Sequence, residues 1–168
     1  MDDRPHSSLM LAARITLPHF SVSSAQIEGH QAPPIVNNGV MFVATPGNQL
    51  IAIEAKTGHP LWRYRRAIPE DMMQLHPTSR GVGLFGDHVY FAATDAVLVA
   101  LDVRTGKEAW TAKVEDYKKG YYMSLAPLVI DGKVLVGVSG GELGVRGFVA
   151  AYDAQTGKEL WKAYTGAG

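Results

Sequence analysis

The stretch Ala100-Leu101-Asp102-Val103-Arg104-Thr105-Gly106-Lys107-Glu108-Ala109-Trp110 decides the fold, because close variants of it occur on either side. Ala52-Ile53-Glu54-Ala55-Lys56-Thr57-Gly58-His59-Pro60-Leu61-Trp62 precedes it, and Ala151-Tyr152-Asp153-Ala154-Gln155-Thr156-Gly157-Lys158-Glu159-Leu160-Trp161 follows. The shared form is Ala-x-acid-x-x-Thr-Gly-x-x-x-Trp. The tryptophans lie 48 and 51 residues apart, and all three in the chain occupy this slot. Self-similarity at such a period marks an architecture of stacked units.

Each copy reads as a hairpin. The acid accepts hydrogen bonds from the turn backbone, Thr-Gly supplies a position tolerant of positive φ, and the returning strand ends at tryptophan. Alternating residues before the turn (Leu50 and Ala52, Val97 and Val99, Phe148 and Ala150) predict a half-buried strand. Another strand pair lies upstream of each copy: residues 34–36 with 40–44, 81–85 with 89–92, and 127–130 with 133–137. Their turns are Asn37-Asn38-Gly39, Gly86-Asp87-His88 and Asp131-Gly132. Four short strands per repeat of about 45–50 residues predict an all-β chain of four-stranded antiparallel propeller blades. The tryptophans are then flat side chains packed between neighbouring blades.

Composition narrows the function. With 16 basic and 16 acidic side chains the 168-residue chain is neutral, which gives no electrostatic footprint for nucleic acid. The absence of cysteine excludes disulfides, thiolate metal sites and a cysteine nucleophile. No apolar run is long enough to cross a membrane as a helix. No signal peptide is visible either: the chain opens with Asp2 and Asp3, and Arg14 interrupts the apolar stretch before it. Residues 1–26 are expected to be an irregular leader or the remnant of a longer sequence. The six histidines show no paired metal-ligand spacing, and no serine sits in a nucleophile elbow. Asp116-Tyr117-Lys118-Lys119-Gly120-Tyr121-Tyr122 reads as a solvated loop.

One repeat breaks the period. From Met41 to Thr57 and from Val89 to Thr105 the interval is 16 residues, whereas from Val134 to Thr156 it is 22. The extra residues enter at Ser139-Gly140-Gly141-Glu142-Leu143-Gly144-Val145-Arg146-Gly147. Glycines let backbone N–H groups approach a ligand, and a Glu142 carboxylate suits a hard cation. The alternative is a surface loop in which Glu142 and Arg146 pair with each other in water.

The repeated tryptophan motif, the 139–147 loop and the opening Glu28-Gly29-His30-Gln31-Ala32-Pro33-Pro34-Ile35-Val36 resemble the quinoprotein alcohol dehydrogenases, which use pyrroloquinoline quinone and a metal ion. The resemblance covers residues 27–165. It implies an eight-bladed propeller, of which this chain carries three blades at about 27–66, 78–114 and 121–165. It implies that Glu142 is a ligand to calcium or a lanthanide. Ser139, Gly140 and Gly141 fall where the family lines the quinone, Gly141 standing where many members have alanine. Ser124 occupies a hydroxyl position that hydrogen-bonds the cofactor, and Arg80 occupies the cofactor-binding arginine. Gln31 stands at another cofactor position, where many members have glutamate. A further departure is Met72-Met73-Gln74-Leu75-His76-Pro77, where many members carry adjacent cysteines against the quinone; methionine or leucine would pack there instead. His30 and His76 are the two histidines that would lie near the cofactor's edge.

The implied chemistry is oxidation of a primary alcohol by hydride transfer to the quinone, with a carboxylate base and a metal acting as Lewis acid. The family's catalytic base, an aspartate, and a second metal ligand, an asparagine, lie in later blades. No catalytic residue is therefore expected among these residues, and the isolated chain is expected to be inactive. The resemblance also implies a periplasmic location and a cytochrome c-type electron acceptor. The rival reading is a non-catalytic propeller module for protein–protein contacts. A further expectation is self-association through open blade edges.

Overall fold

The computed structural model describes residues 31–73 and 75–166. The expected leader, His30 and Gln74 lie outside the described residues. Twelve strands form three antiparallel four-stranded sheets. The first contains β1 (Ile35–Asn37), β2 (Val40–Thr45), β3 (Gln49–Glu54) and β4 (Pro60–Arg65). The second contains β5 (Val82–Phe85), β6 (His88–Ala93), β7 (Val97–Asp102) and β8 (Glu108–Lys113). The third contains β9 (Leu128–Ile130), β10 (Lys133–Gly137), β11 (Phe148–Asp153) and β12 (Glu159–Tyr164). In every sheet the spatial order follows the chain, the meander of a propeller blade. The turn between β5 and β6 is Gly86-Asp87, one residue tighter than the sequence suggests, because His88 already pairs with Phe85.

Alternation works differently from the half-buried expectation in the second blade. Every residue from Val89 to Leu101 is buried. Period-two side chains still alternate, but each face meets a neighbouring sheet rather than water. Val89, Phe91, Val97, Val99 and Leu101 join Phe42, Leu50 and Ala52 of the first blade in one apolar layer. Tyr90, Leu98 and Ala100 join Val134, Phe148 and Ala150 of the third in another. Burying each valine, leucine or phenylalanine of these layers contributes about 1.5–3 kcal/mol.

The repeated motif locks these layers. Asp102 Oδ1 accepts hydrogen bonds from the backbone N–H of Arg104 (3.1 Å) and Thr105 (2.8 Å) and from the Thr105 hydroxyl (2.8 Å). Asp153 makes the same three contacts with Gln155 and Thr156. Gly58, Gly106 and Gly157 all have positive φ, between 68° and 78°. After the turn, Ala52 pairs with Trp62, Ala100 with Trp110 and Ala151 with Trp161, each just before a register shift. The bulge turns the ring toward the next blade. Trp62 Nε1 donates to the Val103 carbonyl at 2.9 Å, and Trp110 Nε1 donates to the Ala154 carbonyl at 3.1 Å. The motif glycine is where the preceding tryptophan lies flat. A Cβ on Gly106 would be 2.5 Å from the Trp62 ring, and one on Gly157 would be 2.5 Å from Trp110.

Antiparallel order places the β2–β3, β6–β7 and β10–β11 turns at one end of the blades. The long connections from β4 to β5 and from β8 to β9 lie at that same end. The candidate site is built there.

Candidate cofactor and metal site

Two connections and one loop converge. Residues 66–81 lead into the second blade, residues 114–127 lead into the third, and residues 138–147 join β10 to β11. Arg80 closes the first connection onto the second twice: its backbone N–H donates to the Ser124 carbonyl at 2.9 Å, and its Nη1 donates to Ser124 Oγ. Ser124 is buried, so it fixes the tip of Arg80 while most of that side chain stays exposed.

Tyr122 ties the second connection to the loop. Its backbone forms an isolated antiparallel bridge with Ser139, with N–H to carbonyl distances of 3.3 and 2.8 Å. Met123 points into the apolar layer between the second and third blades, so Tyr122 and Ser124 turn the other way. The Tyr122 hydroxyl donates to Glu142 Oε1, and the Ser139 hydroxyl also bonds the phenol. Burial, reinforced by the Glu142 carboxylate, pushes the Tyr122 phenol up to about 12. The same hydrogen bond draws Glu142 below the usual carboxylate range, so Glu142 is an anion at neutral pH. His76 packs its ring against Tyr122 with centroids 6.4 Å apart, and its positive form further favours the Glu142 anion.

The loop geometry follows from its glycines. Residues Gly141–Leu143 form a single 3-10 turn, entered at Gly140 (φ 123°) and left at Gly144 (φ 79°). A Cβ on Gly140 would fall 2.2 Å from the Gly120 carbonyl oxygen, so this position needs both the φ and the space that glycine gives. A Cβ on Gly141 would meet nothing within 4 Å, and alanine fits there. Arg146 does not pair with Glu142. It donates to the Gly166 carbonyl at 2.7 Å and lies 4.8 Å from the Tyr164 ring centroid. The surface-pair alternative for this loop is therefore not what forms.

The structure thus brings together Arg80, Ser124, Ser139, Gly140 and Glu142, with Gly141 beside them. Gln31 is exposed, and among the described residues no hydrogen bond joins it to this cluster. Met72 and Met73 line a cleft of about 300 Å³ with Tyr121, Tyr122 and Leu143, next to the site. Tyr122 is a site residue that the motifs do not announce, since it lies in the stretch read as a solvated loop. The one signal for it is its place two residues before Ser124, on the same side of the chain.

The donor set suits a planar, anionic ligand and a hard cation. Arg80 forms no ion pair among the described residues, so its charge is available to a ligand carboxylate. Thr78 Oγ1 is buried nearby in sequence without a hydrogen-bond partner. The exposed Glu142 carboxylate, with Oε1 held by the Tyr122 hydroxyl, offers oxygen of the kind that suits a hard cation. Among the described residues no group of three or more His, Asp or Glu is placed to hold a metal ion.

Fold and site together define a run of propeller blades whose one loop insertion carries an anionic, oxygen-rich site. Residues 14–167 match the family described as the glucose/ethanol/alcohol dehydrogenase β-propeller domain, PQQ type, and the chain belongs to that family. It is 41% identical over 143 residues to the quinoprotein alcohol dehydrogenase PedH of Pseudomonas putida, covering 84% of this chain and 24% of that protein. Quinohemoprotein alcohol dehydrogenase ADHIIG from Pseudomonas putida HK5 superposes with a TM-score of 0.77 at 39% identity, over 83% of this chain and 21% of that one. A europium-containing methanol dehydrogenase superposes at 0.79 with 35% identity, over 89% of this chain and 27% of that one. The chain spans about a fifth to a quarter of the length of the curated relatives it matches.

Proposed function

We propose that this chain contributes one wall of the cofactor pocket and one metal ligand to a periplasmic quinoprotein dehydrogenase that oxidises primary alcohols. The carrying observation is the convergence of Arg80, Ser124, Ser139 and Glu142 around Tyr122 at the loop-rich end of the blades. When bound, pyrroloquinoline quinone would supply a hydride acceptor, and calcium or a lanthanide would supply Lewis acidity beside it.

The residues of this chain bind and orient. Arg80, held in place by Ser124, would offer its planar guanidinium to an anionic group of the quinone. Ser124 and Ser139 supply hydroxyls, and Gly140 lets the backbone come close, with Gly141 beside it tolerating a methyl group. Gln31 contributes a neutral hydrogen-bonding group from the start of the first blade. Glu142 presents an ionised carboxylate to the metal. On this reading the proton acceptor for the alcohol lies in blades beyond these three, and the electrons pass on to a cytochrome c-type acceptor.

Quinone titration of the full-length protein, followed by absorbance with calcium or europium present, tests this reading. Arg80→Met is expected to weaken quinone binding by about 1.5–3 kcal/mol, the usual worth of a hydrogen bond to a charged group. Unchanged quinone affinity in Arg80→Met would count against the pocket assignment.

A further inference from the structure

Besides its own backbone N–H, Glu142 is held only by Tyr122 among the described residues. It is exposed, it sits on a single 3-10 turn, and glycines flank it at positions 140, 141 and 144. No neighbouring side chain in the loop is large enough to fix its rotamer except Leu143, which packs against Gly120 instead. Arg146 turns away to Gly166 and Tyr164. Tyr122, by contrast, is 8% exposed and anchored at both ends. Its backbone bridges Ser139, and its ring packs on His76. A rigid phenol therefore meets a carboxylate on a glycine-flanked turn, and the hydrogen bond runs from the fixed partner to the loose one.

We propose that Tyr122 is the positioning residue for the Glu142 metal ligand, its hydroxyl holding Oε1 and thereby setting the direction in which the carboxylate faces the cation. This inference rests on the ligand role proposed above for Glu142. Hydrogen-bond partners of this kind orient metal ligands, and their loss typically lowers metal affinity by about 10- to 100-fold. Tyr122 also lies two residues from Ser124, so one short segment sets the Arg80 contact and the Glu142 contact together. Metal and quinone positions are thereby referenced to the same piece of backbone.

The test is a europium titration of the full-length protein, with and without quinone, read by direct europium luminescence. Lifetimes in light and heavy water give the number of bound waters. Tyr122→Phe keeps the ring against His76 and removes only the hydroxyl. It is expected to weaken europium binding about 10- to 100-fold. It is also expected to raise the bound-water count by about one, because water takes the place of a carboxylate oxygen that is no longer held toward the cation. Glu142→Gln separates the two readings. Loss of europium binding in Glu142→Gln with unchanged affinity and water count in Tyr122→Phe overturns the positioning role alone. Unchanged binding in both variants, or no europium binding by the unaltered protein, overturns the ligand reading and this inference with it.

Discussion

Gly106→Ala isolates what the repeated motif contributes to holding one blade on the next. Gly106 has a φ of 68°, which an alanine adopts at a cost of about 1–2 kcal/mol. The added methyl would also lie 2.5 Å from Trp62 Cε3 and 2.6 Å from Cδ2. The ring has little freedom to retreat, being hydrogen-bonded to the Val103 carbonyl at 2.9 Å and packed on Phe42 at 5.9 Å between centroids. Overpacking of this kind costs a further 1–3 kcal/mol, roughly, so the expected total is about 2–5 kcal/mol. Gly86→Ala in the same blade is the matched control. Gly86 has a φ of 56° and nothing within 4 Å of its Cβ position, so only the backbone cost applies. Urea denaturation of the full-length protein, followed by tryptophan fluorescence, reads both variants as midpoint shifts at constant slope. In a Trp62→Leu background the cost of Gly106→Ala should fall to that of Gly86→Ala, because contacting pairs are non-additive. Equal costs for Gly106→Ala and Gly86→Ala in the unaltered background would refute the docking argument.

Three other outcomes are expected. Gly140→Ala should abolish quinone binding by displacing the loop from the Gly120 carbonyl, whereas Gly141→Ala should leave quinone affinity and stability within about 0.5 kcal/mol; parallel titrations and melts of the two variants check this. Arg66→Leu should destabilise by about 3 kcal/mol, the low end of the range for a broken buried pair. It strands the Asp95 carboxylate, which is 6% exposed and held by Arg66 at 2.8 Å; restoration of most of the loss in Arg66→Leu with Asp95→Leu, seen by urea denaturation, completes the check. Asp102 has its carboxyl held below the usual range by the Thr105 hydroxyl and backbone N–H. Its folded value is depressed, so its stabilising effect is present above the unfolded value near 3.8 and disappears as pH falls through the folded one. Asp102→Asn should therefore flatten the low-pH limb of a stability-against-pH profile below about pH 4, and an unchanged limb would exclude this turn as a contributor.

The contrast between the motif and the site explains which parts of the molecule were legible. The three motif copies are readable because their physics is local: an acid, a Thr-Gly turn and a tryptophan ten residues after an alanine close on themselves through neighbouring backbone groups. Repetition then supplies the long-range contact, since whatever Trp62 does to Gly106, Trp110 does to Gly157. Strand burial was less legible. Val97 and Val99 alternate with Leu98 and Ala100 in composition that is apolar on both sides, and only stacking of a blade on each face gives both sets a place. Tyr122 marks the opposite limit. Its partner is 20 residues away, inside an insertion that has no counterpart in the other two repeats, so no periodicity announces the pair. Its neighbours Lys118, Lys119 and Gly120 give the segment the composition of a solvated loop, and these residues do belong to a capped surface turn. What changes the role of the segment at Tyr122 is one backbone bridge to Ser139, a contact that depends on Gly140 having no side chain against the Gly120 carbonyl and on Gly120 having none against Leu143 and Val145. Two glycines that look like ordinary loop residues thus decide whether a tyrosine faces solvent or holds a carboxylate.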